Sequence, residues 1–140
     1  GNVLFQSETR DTKELAAICR DGIKAKLTLE IELMVISADE LREAMANAPD
    51  WWGEDPASKH NAIFVIPPAN TMEIMEGMGE IMPAFEKVAY SGPIIFWSAV
   101  LATYSRTRWS KLVQTKYYIS TTIRNINTTR KLLELSQTDQ

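Results

Sequence analysis

Hydrophobic positions in this 140-residue chain switch between a period of two and a period near 3.6, and each switch marks an element. Val3 and Phe5 fall on one side and Leu4 and Gln6 on the other, predicting a short strand over Asn2–Ser7. Asp11 followed by Glu14 opens a capping-box-like start, and Leu15, Ile18, Cys19, Gly22 and Ile23 then recur at helical spacing to about Lys26. Leu27, Leu29, Ile31, Leu33 and Val35 alternate with Thr28, Glu30 and Glu32, which predicts a strand with one wet face. Ser37 with Glu40 forms a second capping box and begins a helix that stops before Pro49.

After the loop from Pro49 to His60, the apolar run Ala62–Ile66 reads as a buried strand bounded by Pro67 and Pro68. Ile74, Met75, Met78, Ile81, Met82 and Phe85 form a helical stripe across Thr71–Phe85 despite Gly77 and Gly79. Glu86–Tyr90 and Ile94–Ser98 are short strands joined by the turn Ser91-Gly92-Pro93. The remainder predicts a helix over Ser105–Gln114, a loop in which Tyr117–Ile119 is extended, and a last helix over Asn127–Leu135. The order fits an α+β fold of tandem ferredoxin-like subdomains. Residues 1–48 make an incomplete first subdomain, 49–61 a connecting loop, and 62–140 a second subdomain with C-terminal helices. An incomplete first half leaves a sheet edge open, which invites a homodimer through that edge.

Composition changes this picture in one respect. Net charge is only −3, which excludes a polycation built for nucleic acid or acidic membrane. From Lys87 to Leu133, however, eight Lys or Arg occur with no Asp or Glu, and the other seven basic and 18 acidic residues leave −11 elsewhere. An acidic body thus carries a basic C-terminal third. Cys19 stands alone, so neither a disulfide framework nor a Cys-rich zinc site is available, and a reducing, cytoplasmic setting is expected. No apolar run is long enough to span a bilayer, so no membrane association is expected.

The stretches GNVLFQS, LREAMANAPDWWGEDPASKHN, FVIPP, YSRTRWSKL and TTIRNINTTRKLLEL occur in the order found in a bacterial family known as domain of unknown function 1697, which the chain therefore resembles. The resemblance implies an α+β fold of ferredoxin-like halves and no established activity. It also implies a preceding strand and helix, with Gly1 and Asn2 ending the turn that follows them. Ile126 stands where the resemblance leads one to expect tryptophan.

The basic third supplies the candidate chemistry. Asp11, Glu14, Asp39 and Glu40 complement the positive ends of the first two predicted helices. Arg106 and Arg108, and then Arg130 and Lys131, place the opposite charge at the starts of the last two. A bound anion relieves that conflict, because free N–H groups and guanidinium forks both suit phosphate. The candidate ligand-binding residues are Arg106, Arg108, Lys111, Arg124, Asn125, Asn127 and Arg130; the bland alternative is a tolerated set of solvated charges. The expected partner is a phosphate-bearing small molecule or a short nucleic acid. Phe64, Phe96 and Trp97 lie in apolar strands and read as core, which argues against a base-stacking sheet.

Of the adjacent Trp51 and Trp52, one is expected to cover the core and the other to be free to touch a ligand or partner, with core cover the stronger reading. His60 is the single histidine, so no histidine metal site or nucleophile triad can be assembled, and a loop or capping role is expected. No metal or other cofactor is expected, and no catalytic residue is identified. Two alternatives to a binding protein are a small-molecule enzyme that needs a further N-terminal segment, and a protein–protein assembly module.

Overall fold

The computed structural model describes residues 2–27 and 32–138. Its helices are α1 (Thr12–Leu27), α2 (Ala38–Ala46), α3 (Thr71–Met78) and α4 (Ile126–Thr138), and its strands are β1 (Ser58–Val65), β2 (Glu86–Ser91), β3 (Ile94–Val100) and β4 (Thr121–Asn125). The architecture is α+β.

The strands form one antiparallel sheet in the order β2-β3-β1-β4. The two central strands, β1 and β3, are buried on both faces from His60 to Val65 and from Ile94 to Ala99, which is why their sequences read as unbroken apolar runs. Alternation divides their side chains between two cores. Ile63, Val65, Ile95 and Trp97 pack with Ile74 and Met78 of α3 and with Trp109 and Leu112. Ala62, Phe64, Ile94 and Phe96 pack on the other face with Leu41 and Ala44 of α2, Trp52, and Ile126, Leu132 and Leu133 of α4. The sheet is thus a middle layer between α3 with its neighbouring turns and the α2–α4 pair.

The α2 start follows its sequence closely. The Ser37 hydroxyl accepts from the Glu40 N–H, and the Glu40 carboxylate accepts from the Ser37 N–H. Asp11 likewise accepts from the N–H groups of Lys13 and Glu14 at the start of α1. Other elements differ from expectation. The helix predicted to reach Phe85 ends at Met78, because Gly79 turns the chain at φ 76°, a region that side chains disfavour. Gly77 is also required: a Cβ there would lie 2.1 Å from the Tyr117 hydroxyl oxygen.

The helix predicted over Ser105–Gln114 is instead two short 3₁₀ segments, Leu101–Arg106 and Trp109–Gln114, and Tyr118–Ser120 forms a third. Thr121–Asn125, read as loop, is edge strand β4. Asn2–Ser7 and Glu32–Val35 form no strand, and the intervening residues of the second predicted strand lie outside the described residues. Neither segment finds a ladder partner for its N–H and C=O groups among the described residues, and Val3, Leu4 and Phe5 are exposed.

Candidate functional site

The seven predicted binding residues fall into two groups on opposite faces of the sheet. Arg106, Arg108 and Lys111 accompany the 3₁₀ segments, whose Trp109 and Leu112 enter the α3-side core. Arg124, Asn125, Asn127 and Arg130 lie at the end of β4 and the start of α4, which packs on the other side. The structure therefore does not gather all seven into one place.

The three members of the first group are exposed at the surface, and each also makes a contact within the chain. The Arg108 Nε–H donates to the Met78 carbonyl at the last residue of α3, where a cation complements the helix dipole. Lys111 Nζ donates to the Ser105 carbonyl at 3.1 Å, and the Arg106 guanidinium lies 5.0 Å from the centre of the Phe85 ring. Neither arginine begins an α-helix: Arg106 ends one 3₁₀ segment and Arg108 precedes the next. The dipole conflict expected at this site is absent.

What holds these segments is a buried carboxylate. Glu86 is 3% exposed and accepts four N–H groups. Trp97 Nε1 and the Trp109 backbone each donate to its Oε1 at 3.1 Å, while Met82 (3.0 Å) and Arg108 (2.5 Å) donate from their backbones to Oε2. Both oxygens of an acceptor-only group are thereby satisfied in the core. Sequence pattern pointed to the Glu86 strand but gave no sign of this role, because three of the donors come from outside any ladder.

The second group lies at the start of a true α-helix. The Asn125 Oδ1 caps α4 by accepting from the Thr128 N–H at 2.8 Å. The first turn of α4 contains no acid, and Asn127 and Arg130 are exposed. Because α4 starts at Ile126, Arg130 is its fifth residue and lies just beyond the first turn, contrary to the sequence placement. Helical side chains lean toward the N-terminus, and the Arg130 guanidinium lies 5.8 Å from the centre of a Trp52 ring. Arg124 is engaged: its Nε donates to Asn2 Oδ1 at 3.0 Å and its Nη1 to the Ile123 carbonyl at 2.9 Å.

The Trp51–Asp55 turn lies between this helix start and a cleft of about 520 Å³ at the same end of the sheet, toward its β2 edge. Trp52 is buried, donating from Nε1 to the Asn61 carbonyl at 2.9 Å and meeting Phe96 edge-on at 4.9 Å, while Trp51 lines the cleft. Trp51 is half-buried and also packs against the core that holds Trp52, so both tryptophans contribute to covering it. Gly53, at φ 91°, leaves no room for a side chain: a Cβ would lie 2.6 Å from both Arg130 Nη2 and Ile126 Cδ1.

His60 clasps the same turn. The Gly53 N–H donates to Nδ1 at 3.0 Å, so that nitrogen must carry the lone pair; the Asp55 carbonyl accepts at 2.7 Å, so Nε2 carries the hydrogen. Ser98 Oγ lies 2.6 Å from the same Nδ1, and register places Ser98 directly opposite His60. The pair resembles a nucleophile and its base. Nδ1 is already shared with Gly53, however, and Ser98 is 6% exposed in mid-strand, so a structural clasp accounts for both residues. Asp55 continues it. The Ser58 hydroxyl, then the Ala57 N–H, hold its carboxyl below the ordinary value near 3.8 against the opposing effect of desolvation, with smaller electrostatic help from His60 and Lys87.

Among the described residues, no three His, Cys, Asp or Glu side chains converge to hold a metal ion, and no helix is long and apolar enough to cross a membrane. The sheet faces hide Phe64, Phe96 and Trp97, leaving none of the three for base stacking.

A family model described as Protein of unknown function (DUF1697) matches residues 1–96. The chain belongs to the DUF1697 family. The match covers α1 to the first half of β3 together with the Trp51–Asp55 turn, and it ends before the 3₁₀ segments, β4 and α4. No curated protein matches the sequence. Among solved structures, a conserved bacterial protein from Streptococcus pneumoniae is similar at a TM-score of 0.80 and 20% identity, with 93% of this chain and 72% of that chain covered. At that identity the likeness establishes the fold.

Proposed function

We propose that this DUF1697 protein is a cytoplasmic binding protein that holds a small phosphate-bearing ligand at the start of α4. The observation that carries the reading is the composition of that start. Asn127 and Arg130 are exposed, Arg124 and Asn125 flank them, and no acid occupies the first turn. Backbone N–H groups at a helix start and a nearby guanidinium both favour a compact dianion. Arg106, Arg108 and Lys111 are a weaker choice, since they flank short 3₁₀ segments and not the start of an α-helix. The same reading treats residues from β1 onward as a ferredoxin-like unit. Its support is the antiparallel order β2-β3-β1-β4, with 3₁₀ segments between β3 and β4 where a second helix would otherwise pass.

The test is thermal stabilisation by AMP and by inorganic phosphate. The parent protein and an Arg106→Gln/Lys111→Gln variant should both gain melting temperature, whereas Asn127→Ala/Arg130→Gln should gain none. Equal gains in both variants, or none in the parent, would remove the basis for this site.

A further inference from the structure

The cleft on the far side of the Trp51–Asp55 turn presents different chemistry from the α4 start. Its floor is the end of β1 and β3, where Ser58, His60 and Ser98 are bonded to one another or to the turn. Pro83 and Phe85 from the segment before β2 form one wall, and Trp51 and Pro56 form the other. These walls are mainly apolar. Two charges of opposite sign stand at the lining: Glu54 on the turn and Lys87 on β2. Among the described residues, neither the Glu54 carboxylate nor the Lys87 ammonium makes a hydrogen bond or a salt bridge, although Lys87 is near enough to Asp55 to help hold its carboxyl down. Both are exposed, whereas the nearby acids Asp55 and Glu86 already accept from Ser58 and Ala57 and from four N–H groups, respectively.

We infer that this cleft binds a small zwitterion with an apolar body, the chemistry of an aromatic or aliphatic α-amino acid. A ligand ammonium meets Glu54, with the half-buried Trp51 offering an aromatic face beside it. A ligand carboxylate meets Lys87, and the body lies between the Phe85 and Pro56 walls. A volume of about 520 Å³ falls within the ordinary range for small-molecule sites, whose walls are mostly apolar with few placed polar groups. A phosphate dianion is disfavoured here, because Glu54 and Asp55 outnumber the single Lys87. This inference is independent of the α4 reading, and the two sites are separated by the turn itself.

The experiment titrates the full chain with phenylalanine, N-acetylphenylalanine and phenylalaninamide, following amide and indole signals by two-dimensional NMR. Phenylalanine should move the Trp51 indole and the Glu54 and Lys87 amide signals, with each one-charge analogue binding at least about tenfold more weakly. Glu54→Gln should erase the preference over the N-acetyl compound, and Lys87→Met the preference over the amide. Both sites are exposed, so the variants should fold. Absence of shifts at tens of millimolar, equal binding of all three compounds, or unchanged preferences in the two variants would each overturn the assignment.

Discussion

Replacing Glu86 with glutamine tests the most consequential contact in the structure. The carboxylate accepts from Trp97 Nε1 and from the backbones of Met82, Arg108 and Trp109 while 3% exposed. A glutamine amide keeps one accepting oxygen and turns an NH2 group toward the other two donors. Two charge-assisted hydrogen bonds are lost and two buried N–H groups face a donor, at roughly 1.5–3 kcal/mol for each position. The expected loss is about 3–6 kcal/mol, a large share of the ~5–15 kcal/mol that holds an ordinary domain together. In melting temperature this corresponds to about 10 °C or more. Urea unfolding followed by tryptophan fluorescence measures it, with Lys87→Gln on the same strand as a control expected to stay within about 0.5 kcal/mol. Hydrogen exchange supplies a local readout: the Arg108 and Trp109 amides should lose protection before those of β1. A loss below about 1 kcal/mol, or unchanged exchange at those two amides, would refute the view that Glu86 anchors the 3₁₀ segments.

Three further outcomes follow from the same geometry. His60→Ala strands the Gly53 N–H and the Asp55 carbonyl and should cost about 2–4 kcal/mol in urea unfolding, whereas Ser98→Ala, which leaves the Gly53 bond in place, should cost about 1 kcal/mol or less. Gly77→Ala gains helix propensity of up to about 1 kcal/mol, yet it displaces Tyr117 and should be net destabilising by about 1–3 kcal/mol in the same assay. Because Asp55 is held below its ordinary value near 3.8, its contribution is complete above that pH and falls away as pH drops through the lower folded value; an Asp55→Asn variant should therefore differ most from the parent at neutral pH and converge with it in acid titration.

Much of the scaffold was legible because its signals are local. The Ser37–Glu40 capping box, the apolar runs of β1 and β3, and the turn at Gly92 are each written within a few residues. The elements that sequence misplaced depend on distant contacts. The Ser105–Gln114 region has helical spacing, but the Arg108 and Trp109 N–H groups donate to Glu86, more than 20 residues earlier, which favours two tight turns over one continuous helix. Strand β4 carries β-branched Thr121, Thr122 and Ile123, a signal only three residues long that becomes a strand through its ladder with β1, about 60 residues earlier.

The candidate site divides in the same way. Charge clustering was visible, but the face on which each cation sits is set by strand register and by where the chain crosses the sheet edge. Thus Arg108 and Arg130, similar in sequence context, end on opposite sides of the molecule. His60 read as a loop residue because its partner Ser98 is 38 positions away and becomes adjacent only through the β1–β3 ladder.

The most direct measurement of the proposed function is an amide-resolved NMR titration of the full chain with AMP. Binding at the α4 start predicts saturable shifts concentrated at Asn125–Arg130, with smaller movement at Gly53 beneath the Arg130 guanidinium and little change at Arg106–Lys111. Shifts centred on Arg106–Lys111, or none at Asn125–Arg130 at saturating AMP, would contradict the account.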